Sequence, residues 1–257
     1  MLSQYFGLTP LGPPFVLFSP QHLLGIAAVI VAAVAVALAA ARLPARPRAA
    51  LRWGLAAFCV ANWLGWDAWQ LANGVWSPAY SLPLQLCTLS VPVAALMLAT
   101  RSRRIFEPLY FWCFAGATQA LITPDLQAAG YSFPHFRYWI FFTSHGSIYL
   151  AVAFAVAAWG FRPTWGSLPR AFLITNLLMA LVGLVNWLTG GNYMFIARKP
   201  EYPTLIDALG PWPWYIIGLE LIGLVAFTLV YLPYALRDRW PGSGVRGPGS
   251  GPRPPPR

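Results

Sequence analysis

The sequence predicts an all-α polytopic membrane protein of seven transmembrane helices, with its N-terminus outside and its C-terminus cytoplasmic. Three observations carry that prediction. Hydrophobic residues make up 58% of the chain against 9% charged, with a mean hydropathy of +0.57; seven apolar runs are long enough to span; and Lys and Arg concentrate in alternate connections. A soluble chain of this length needs about 25% charged residues to cover its surface, so the shortfall calls for a surface that faces lipid. The thirteen Trp and eleven Tyr suit the same solvent, because amphipathic rings gather at both membrane interfaces.

A span needs about 20 largely apolar residues at 1.5 Å rise each. The first run, about 21–41, has no basic segment before it and Arg-rich sequence after it, with no small-residue cleavage site, so it reads as a retained helix. LPARPRAA at 43–50 separates it from the second run, about 51–73. The third, about 82–100, ends at RSRR, and the fourth, about 105–123, ends at TPD (123–125). The fifth covers about 138–160 and closes on GFRP, the sixth covers about 169–190 and closes on GGN (190–192), and the seventh covers about 212–236. Residues 1–240 thus form one seven-helix domain. Residues 241–257, rich in Gly, Pro and Arg, have no apolar face to bury and are expected to be a disordered cytoplasmic tail.

Cytoplasmic loops retain Lys and Arg, so a correct count of spans must give an alternating pattern. Arg42, Arg46, Arg48 and Arg52 follow the first span, Arg101, Arg103 and Arg104 the third, Arg162 and Arg170 the fifth, and five more Arg follow the seventh. The opposite loops hold Arg137, Arg198 and Lys199, so 14 basic residues lie on one side and 3 on the other. The +10 formal charge is therefore a topology signal and not a nucleic-acid stripe. Cys59, Cys87 and Cys113 lie within apolar runs without paired spacing and are expected to be free thiols.

Ionisable groups inside a span cost about 2.5–3.5 kcal/mol at mid-membrane and usually face a protein interior or cavity. Asp67, Cys87, Gln119, His145, Asn186 and Glu220 occupy spans two to seven in order, each in the outer half. Cys87, His145 and Glu220 fall roughly 8, 10 and 12 Å below the outer ends of their helices at helical rise. Residues placed for packing alone would occupy both halves, so the bias points to one outward-facing polar pocket. The outer loops add Asp125, His135, Asn192, Tyr193 and Trp212 at its mouth, with Arg137, Arg198 and Lys199 available to a lipid phosphate. The bland alternative is an aromatic belt over packed helix ends.

A Cys beside a His forms an activated thiolate that attacks ester or thioester carbonyls. Cys87 and His145 lie on helices entering from the same side, and can meet if spans three and five are neighbours. A buried Cys is otherwise a small apolar core residue, and His145 is otherwise a bond to a neighbouring helix. Cys59 and Cys113 have no comparable partner, and His22 reads as an interfacial residue. No metal spacing, phosphate-binding glycine loop or serine elbow is visible, so no metal or cofactor is expected. Asp67 and Glu220 suit either a transporter's proton relay or the orientation of neighbouring groups.

Five segments resemble the YwaF-type integral membrane family: 82–90 (LPLQLCTLS), 110–125, 133–146 (FPHFRYWIFFTSHG), 175–200 and the GPWPWY run from Gly210. The resemblance extends over about 15–235. Eukaryotic relatives, the transmembrane protein 164 group, are regarded as acyltransferases using a Cys in the segment matching 82–90, which falls on Cys87. Many bacterial members have His where this chain has Gln85, leaving Gln85 a supporting role at most. The resemblance implies a membrane-embedded lipid acyltransferase or hydrolase acting on phospholipid or lysophospholipid, with Cys87 accepting the acyl group, His145 as base and no nucleic-acid partner. A bacterial cytoplasmic membrane is the expected location. The rival reading is a small-molecule transporter or binding protein using Asp67 and Glu220 in the same pocket.

Overall fold

Seven long helical segments follow one another in the order the apolar runs predict: α1 (Pro20–Arg42), α2 (Ala45–Ala72), α3 (Leu86–Thr100), α4 (103–122), α5 (Phe136–Trp159), α6 (Ser167–Thr189) and α7 (Trp214–Arg239). The computed structural model describes residues 3–200 and 204–239, so the expected tail at 241–257 lies outside the described residues. Among the described residues there is no strand, and α1, α5, α6 and α7 are long and apolar enough to cross a membrane.

Helix ends sit where local chemistry puts them. Pro20 occupies the first turn of α1, where its missing N–H costs nothing, and Leu43 turns extended before Pro44 to end the helix. The Ser102 hydroxyl caps α4 by accepting the Ile105 N–H. Gly160 and Gly190 end α5 and α6 in the left-handed conformation.

Three segments depart from the sequence expectation. α2 starts at Ala45, six residues before the predicted 51, with Pro44 as its N-cap, so most of the LPARPRAA stretch is helical. α3 starts at Leu86, four residues later than predicted, because 82–85 is drawn into loop bonds: the Leu82 N–H donates to the Tyr193 hydroxyl at 2.9 Å, and Gln85 is the extended N-cap. α4 is not uniform. Its α-helical turns at Arg103–Phe111 and Thr118–Ile122 flank a π-helical stretch, Trp112–Ala117. Such bulges are rare and concentrate at functional sites.

α5 is the central helix and packs on α1, α2, α3 and α4. Against α1 the approach is close, with a glycine at the contact on each helix. A Cβ at Gly25 would lie 2.6 Å from the Phe142 ring, and one at Gly146 would lie 3.2 Å from Val29, the small-residue contact typical of helices in lipid. α3 and α6 both pack on α4, while α7 leans on the π stretch and on α6. The main core lies among α2, α3, α4 and α5, with Cys59, Leu98, Phe111, Cys113 and Ile148 fully enclosed.

At the Arg-rich end polar bonds lock the helices. Arg52 donates to the Leu98 and Ala99 carbonyls at 2.9 and 3.2 Å, satisfying the end of α3. Arg170 on α6 makes a two-pronged contact with Glu107 on α4, both bonds 2.9 Å. Arg162 pairs with Asp238 of α7 at 2.7 Å.

Candidate functional site

Hydrogen bonding separates the three histidines. His22 is fully buried: its Nδ1 accepts the Phe18 N–H at 2.9 Å and its Nε2–H donates to the Leu121 carbonyl at 2.7 Å, tying α1 to the end of α4. It is thus an internal clamp, where the sequence suggested an interfacial residue. His135 caps α5, its Nδ1 accepting the Arg137 N–H at 3.1 Å and its Nε2–H donating to the Gly7 carbonyl at 3.1 Å. Burial, with the charge of Arg137, holds His135 below the usual imidazole range and keeps it neutral. His145 is different. Its Nδ1 lies 2.8 Å from the Phe141 carbonyl, which can only accept, so the proton is on Nδ1 and Nε2 carries a lone pair with no protein partner among the described residues.

The three cysteines separate as cleanly. All are free thiols. Cys59 is fully buried and donates to the Ser147 carbonyl at 3.8 Å, and Cys113 is fully buried within α4. Cys87, in the first turn of α3, alone keeps accessible surface. His145 on α5 likewise keeps accessible surface.

α3 and α5 pack directly on one another. Cys87 lies thirteen residues above Thr100, the Arg-rich end of α3, and His145 fourteen above Trp159, the corresponding end of α5; at helical rise both sit about 20 Å up. No hydrogen bond joins them among the described residues. Asp125, on the loop between α4 and α5, is exposed and paired with Arg137 at 3.4 Å. The Arg137 guanidinium lies over Trp66 at 4.6 Å and Tyr131 at 5.2 Å.

Residues outside the sequence-predicted set complete the surroundings. Tyr149, one turn along α5 from His145, shares a 2.6 Å hydroxyl bond with Thr118 at the edge of the π stretch. On α2, three buried polar atoms have no partner among the described residues: Trp63 Nε1, Asp67 Oδ1 and Gln70 Nε2. Their spacing, i, i+4 and i+7, puts them on one helix face. The bond from Arg52 to Leu98 joins antiparallel α2 and α3 near the Arg-rich end. Trp63 lies eleven residues beyond Arg52 and Cys87 eleven before Leu98, so the two fall at similar depth, to within about a helical turn.

The other predicted residues are placed elsewhere. Gln119 is exposed and donates to Thr123 of its own turn. Gln85 Oε1 accepts the Met194 N–H at 2.8 Å; Asn186 and Tyr193 exchange bonds of 2.8 and 3.0 Å. These three hold the 190–198 strap against the segment before α3. Asn192 braces the same strap through the backbone of Ala197 and Arg198. Lys199 pairs with Asp207 at 3.7 Å, and Trp212 donates to the Ile196 carbonyl at 3.1 Å. Glu220 accepts from Asn176 at 2.9 Å between α7 and α6, so the two carboxylates of the transport reading belong to different helix pairs. A groove of about 550 Å³ runs between α6, the strap and the start of α7, apart from Cys87 and His145.

Among the described residues no cluster of three His, Cys, Asp or Glu side chains can hold a metal ion. Of the residues that frame Cys87 and His145, Tyr149 and Trp63 carry no sequence signal that separates them from the interfacial belt, and the π stretch has none at all. No curated protein and no solved structure matches the chain. Residues 17–231 match the TMEM164 family, and the chain is an integral membrane protein belonging to that family.

Proposed function

We propose that this protein is a membrane-embedded acyltransferase or hydrolase that moves a lipid acyl chain through a thioester on Cys87. One observation carries the reading: the single histidine with an uncommitted ring nitrogen and the single cysteine with accessible surface lie on adjacent helices at equal depth. In the first half-reaction the Cys87 thiol passes its proton to His145 Nε2 and the thiolate adds to the ester carbonyl of a phospholipid. The ester C–O bond breaks, and the same proton goes to the departing lysophospholipid oxygen. In the second, an acceptor hydroxyl or water gives its proton to Nε2 and attacks the thioester. The C–S bond breaks and the thiolate recovers the proton from the imidazolium. Trp63 Nε1–H, at similar depth to the thiol and without a protein partner among the described residues, is available to the oxyanion of either step.

The membrane arrangement proposed with this chemistry has all seven helices spanning. The Arg-rich end is cytoplasmic, the N-terminus is outside, and the host membrane is a bacterial inner membrane. In the sequence, 14 basic residues fall on the side assigned to the cytoplasm and 3 on the other, which supports it. Asp125 and the Cys87–His145 region then open toward the outer leaflet.

The test is intact-mass analysis of protein reconstituted with a phospholipid. Wild type gains one acyl mass that hydroxylamine removes, whereas Cys87→Ala gains none and turns over no lipid. An acyl adduct of equal yield in Cys87→Ala overturns the covalent mechanism.

A further inference from the structure

The groove between α6 and α7 is built like a seat for a membrane lipid, and it stands apart from the Cys87 region. Between the two lies the 190–198 strap, which carries Gln85's bond on one side and lines the groove on the other. α6 and α7 are tied together by the Asn176–Glu220 bond. Glu220 is one turn below Ile216, and Asn176 one turn below Ala180. Above that tie the helices leave the groove, with Ala180 and Gly183 as its small-residue wall and Ile216 opposite. From Met179 to Gly190 it runs eleven residues of α6, about 16 Å at helical rise, and its 550 Å³ falls in the range of ligand sites.

The chemistry changes along its length. The deep part is apolar. The mouth is ringed by Trp187 and Trp212, 79% and 59% exposed, rings that mark headgroup depth in membrane proteins. At the same mouth stands Arg198. Of the three basic residues at this end, Arg137 pairs with Asp125 and Lys199 with Asp207. Arg198 is exposed and, among the described residues, meets no carboxylate; its only side-chain bond is a 3.5 Å contact to the Gly190 carbonyl. Its backbone is nevertheless fixed, because the Asn192 amide both accepts the Arg198 N–H at 3.1 Å and donates to the Arg198 carbonyl at 2.9 Å. A cation is thus held at headgroup depth over an apolar trough.

We propose that this groove binds a phospholipid, with its phosphate on the Arg198 guanidinium and one acyl chain lying along Ala180 and Gly183 toward Ile216. The site is independent of the acyl transfer proposed above and needs no reaction at Cys87.

The experiment uses delipidated Cys87→Ala protein, in which the proposed turnover is blocked. It is titrated by native mass spectrometry with a phosphatidylglycerol, with a diacylglycerol of the same chains and with inorganic phosphate. In a parallel arm the phosphatidylglycerol carries a chain-terminal diazirine. The phospholipid is expected to bind at least about tenfold more tightly than the diacylglycerol, and its crosslink to fall within 179–187 or at 212–216. Inorganic phosphate should not displace it. Arg198→Gln is expected to remove the preference for the phospholipid without weakening the diacylglycerol, and Arg198→Lys to keep part of it. Gly183→Phe, whose ring would project into the trough, is expected to lose the crosslink, with helix content by circular dichroism as the folding control. Equal binding of phospholipid and diacylglycerol, an unchanged preference in Arg198→Gln, displacement by inorganic phosphate, or a crosslink confined to α2, α3 or α5 each overturns the proposal. Failure of the Cys87 chemistry leaves every one of these readouts intact.

Discussion

Replacing His145 with Gln isolates the base from the scaffold. Gln has nearly the volume of the imidazole and can still donate to the Phe141 carbonyl, the bond that fixes the His145 ring at 2.8 Å, but it offers no basic nitrogen where Nε2 stood. No other imidazole in the described chain can substitute, since both ring nitrogens of His22 and of His135 are committed to backbone groups. The full contribution of a positioned base should therefore disappear, about 10²- to 10⁴-fold, or roughly 3–5 kcal/mol at about 1.4 kcal/mol per factor of ten. The assay is single-turnover acylation followed by intact mass with an activated ester, comparing wild type, His145→Gln, Cys87→Ala and the double variant. Groups acting as one unit are non-additive, so the double variant is expected to match Cys87→Ala. His135→Asn is expected to acylate at the wild-type rate. If His145→Gln acylates within about threefold of wild type, or if His135→Asn falls as far as His145→Gln, the assignment of the base is wrong.

Other perturbations probe the scaffold. His135 is held neutral by burial, so on acidification below about 6.5 the unfolded imidazole takes up a proton that the folded one refuses, and stability falls with pH. His135→Asn, a good N-cap, should flatten the thermal midpoint between about pH 7 and pH 5, and an unchanged acid slope would argue against the buried neutral ring. His22→Phe leaves the buried Leu121 carbonyl without its 2.7 Å donor and is expected to cost about 1–3 kcal/mol, read as a lower midpoint in detergent; an unchanged midpoint would exclude a clamping role. Gly25→Leu drives a side chain into the Phe142 ring, which a Cβ alone would meet at 2.6 Å. Overpacking of about 1–3 kcal/mol follows, and Gly25→Leu combined with Phe142→Ala should recover part of the loss in the same melt.

The helix order was legible because each run is bounded by residues with a local reason to stop a helix: Pro44, Ser102, Gly160 and Gly190 act through their own backbones or side chains. The start of α3 was not legible, since it is set by Tyr193, more than a hundred residues away, which takes the Leu82 N–H. The π stretch in α4 is likewise a matter of which carbonyl each N–H reaches, and composition says nothing about that. Among the candidate residues, depth along the helix was readable but direction was not. Gln119 has the right depth and faces outward, while Asn186 is buried yet consumed by Tyr193. Trp63 and Tyr149 read as interfacial aromatics in a chain with thirteen Trp and eleven Tyr. Only the identity of their neighbours separates them from the belt.

Gln85 is tied to the strap. Gln85 precedes the first turn of α3, and its side-chain oxygen accepts the Met194 N–H. Met194 and Phe195 both have positive φ, 56° and 52°, without being glycine, a conformation that persists only where the surroundings hold it. Three bonds do so: Gln85 accepts the Met194 N–H, the Phe195 N–H donates to the Asn192 carbonyl at 3.2 Å, and the Tyr215 hydroxyl donates to the Phe195 carbonyl at 2.6 Å. A neutral imidazole at position 85 presents one ring nitrogen as an acceptor and can take the same N–H, so Gln and His are interchangeable in this bond, though not as proton carriers. Cys87 lies two residues on, inside the helix, with Leu86 between them packed 3.6 Å from where a Cβ of Gly116 would lie in the π stretch. The strap and the thiol are thus anchored by consecutive residues that look in different directions. In the proposed mechanism the proton acceptor for the thiol comes from another helix, α5, where His145 keeps one ring nitrogen without a protein partner among the described residues.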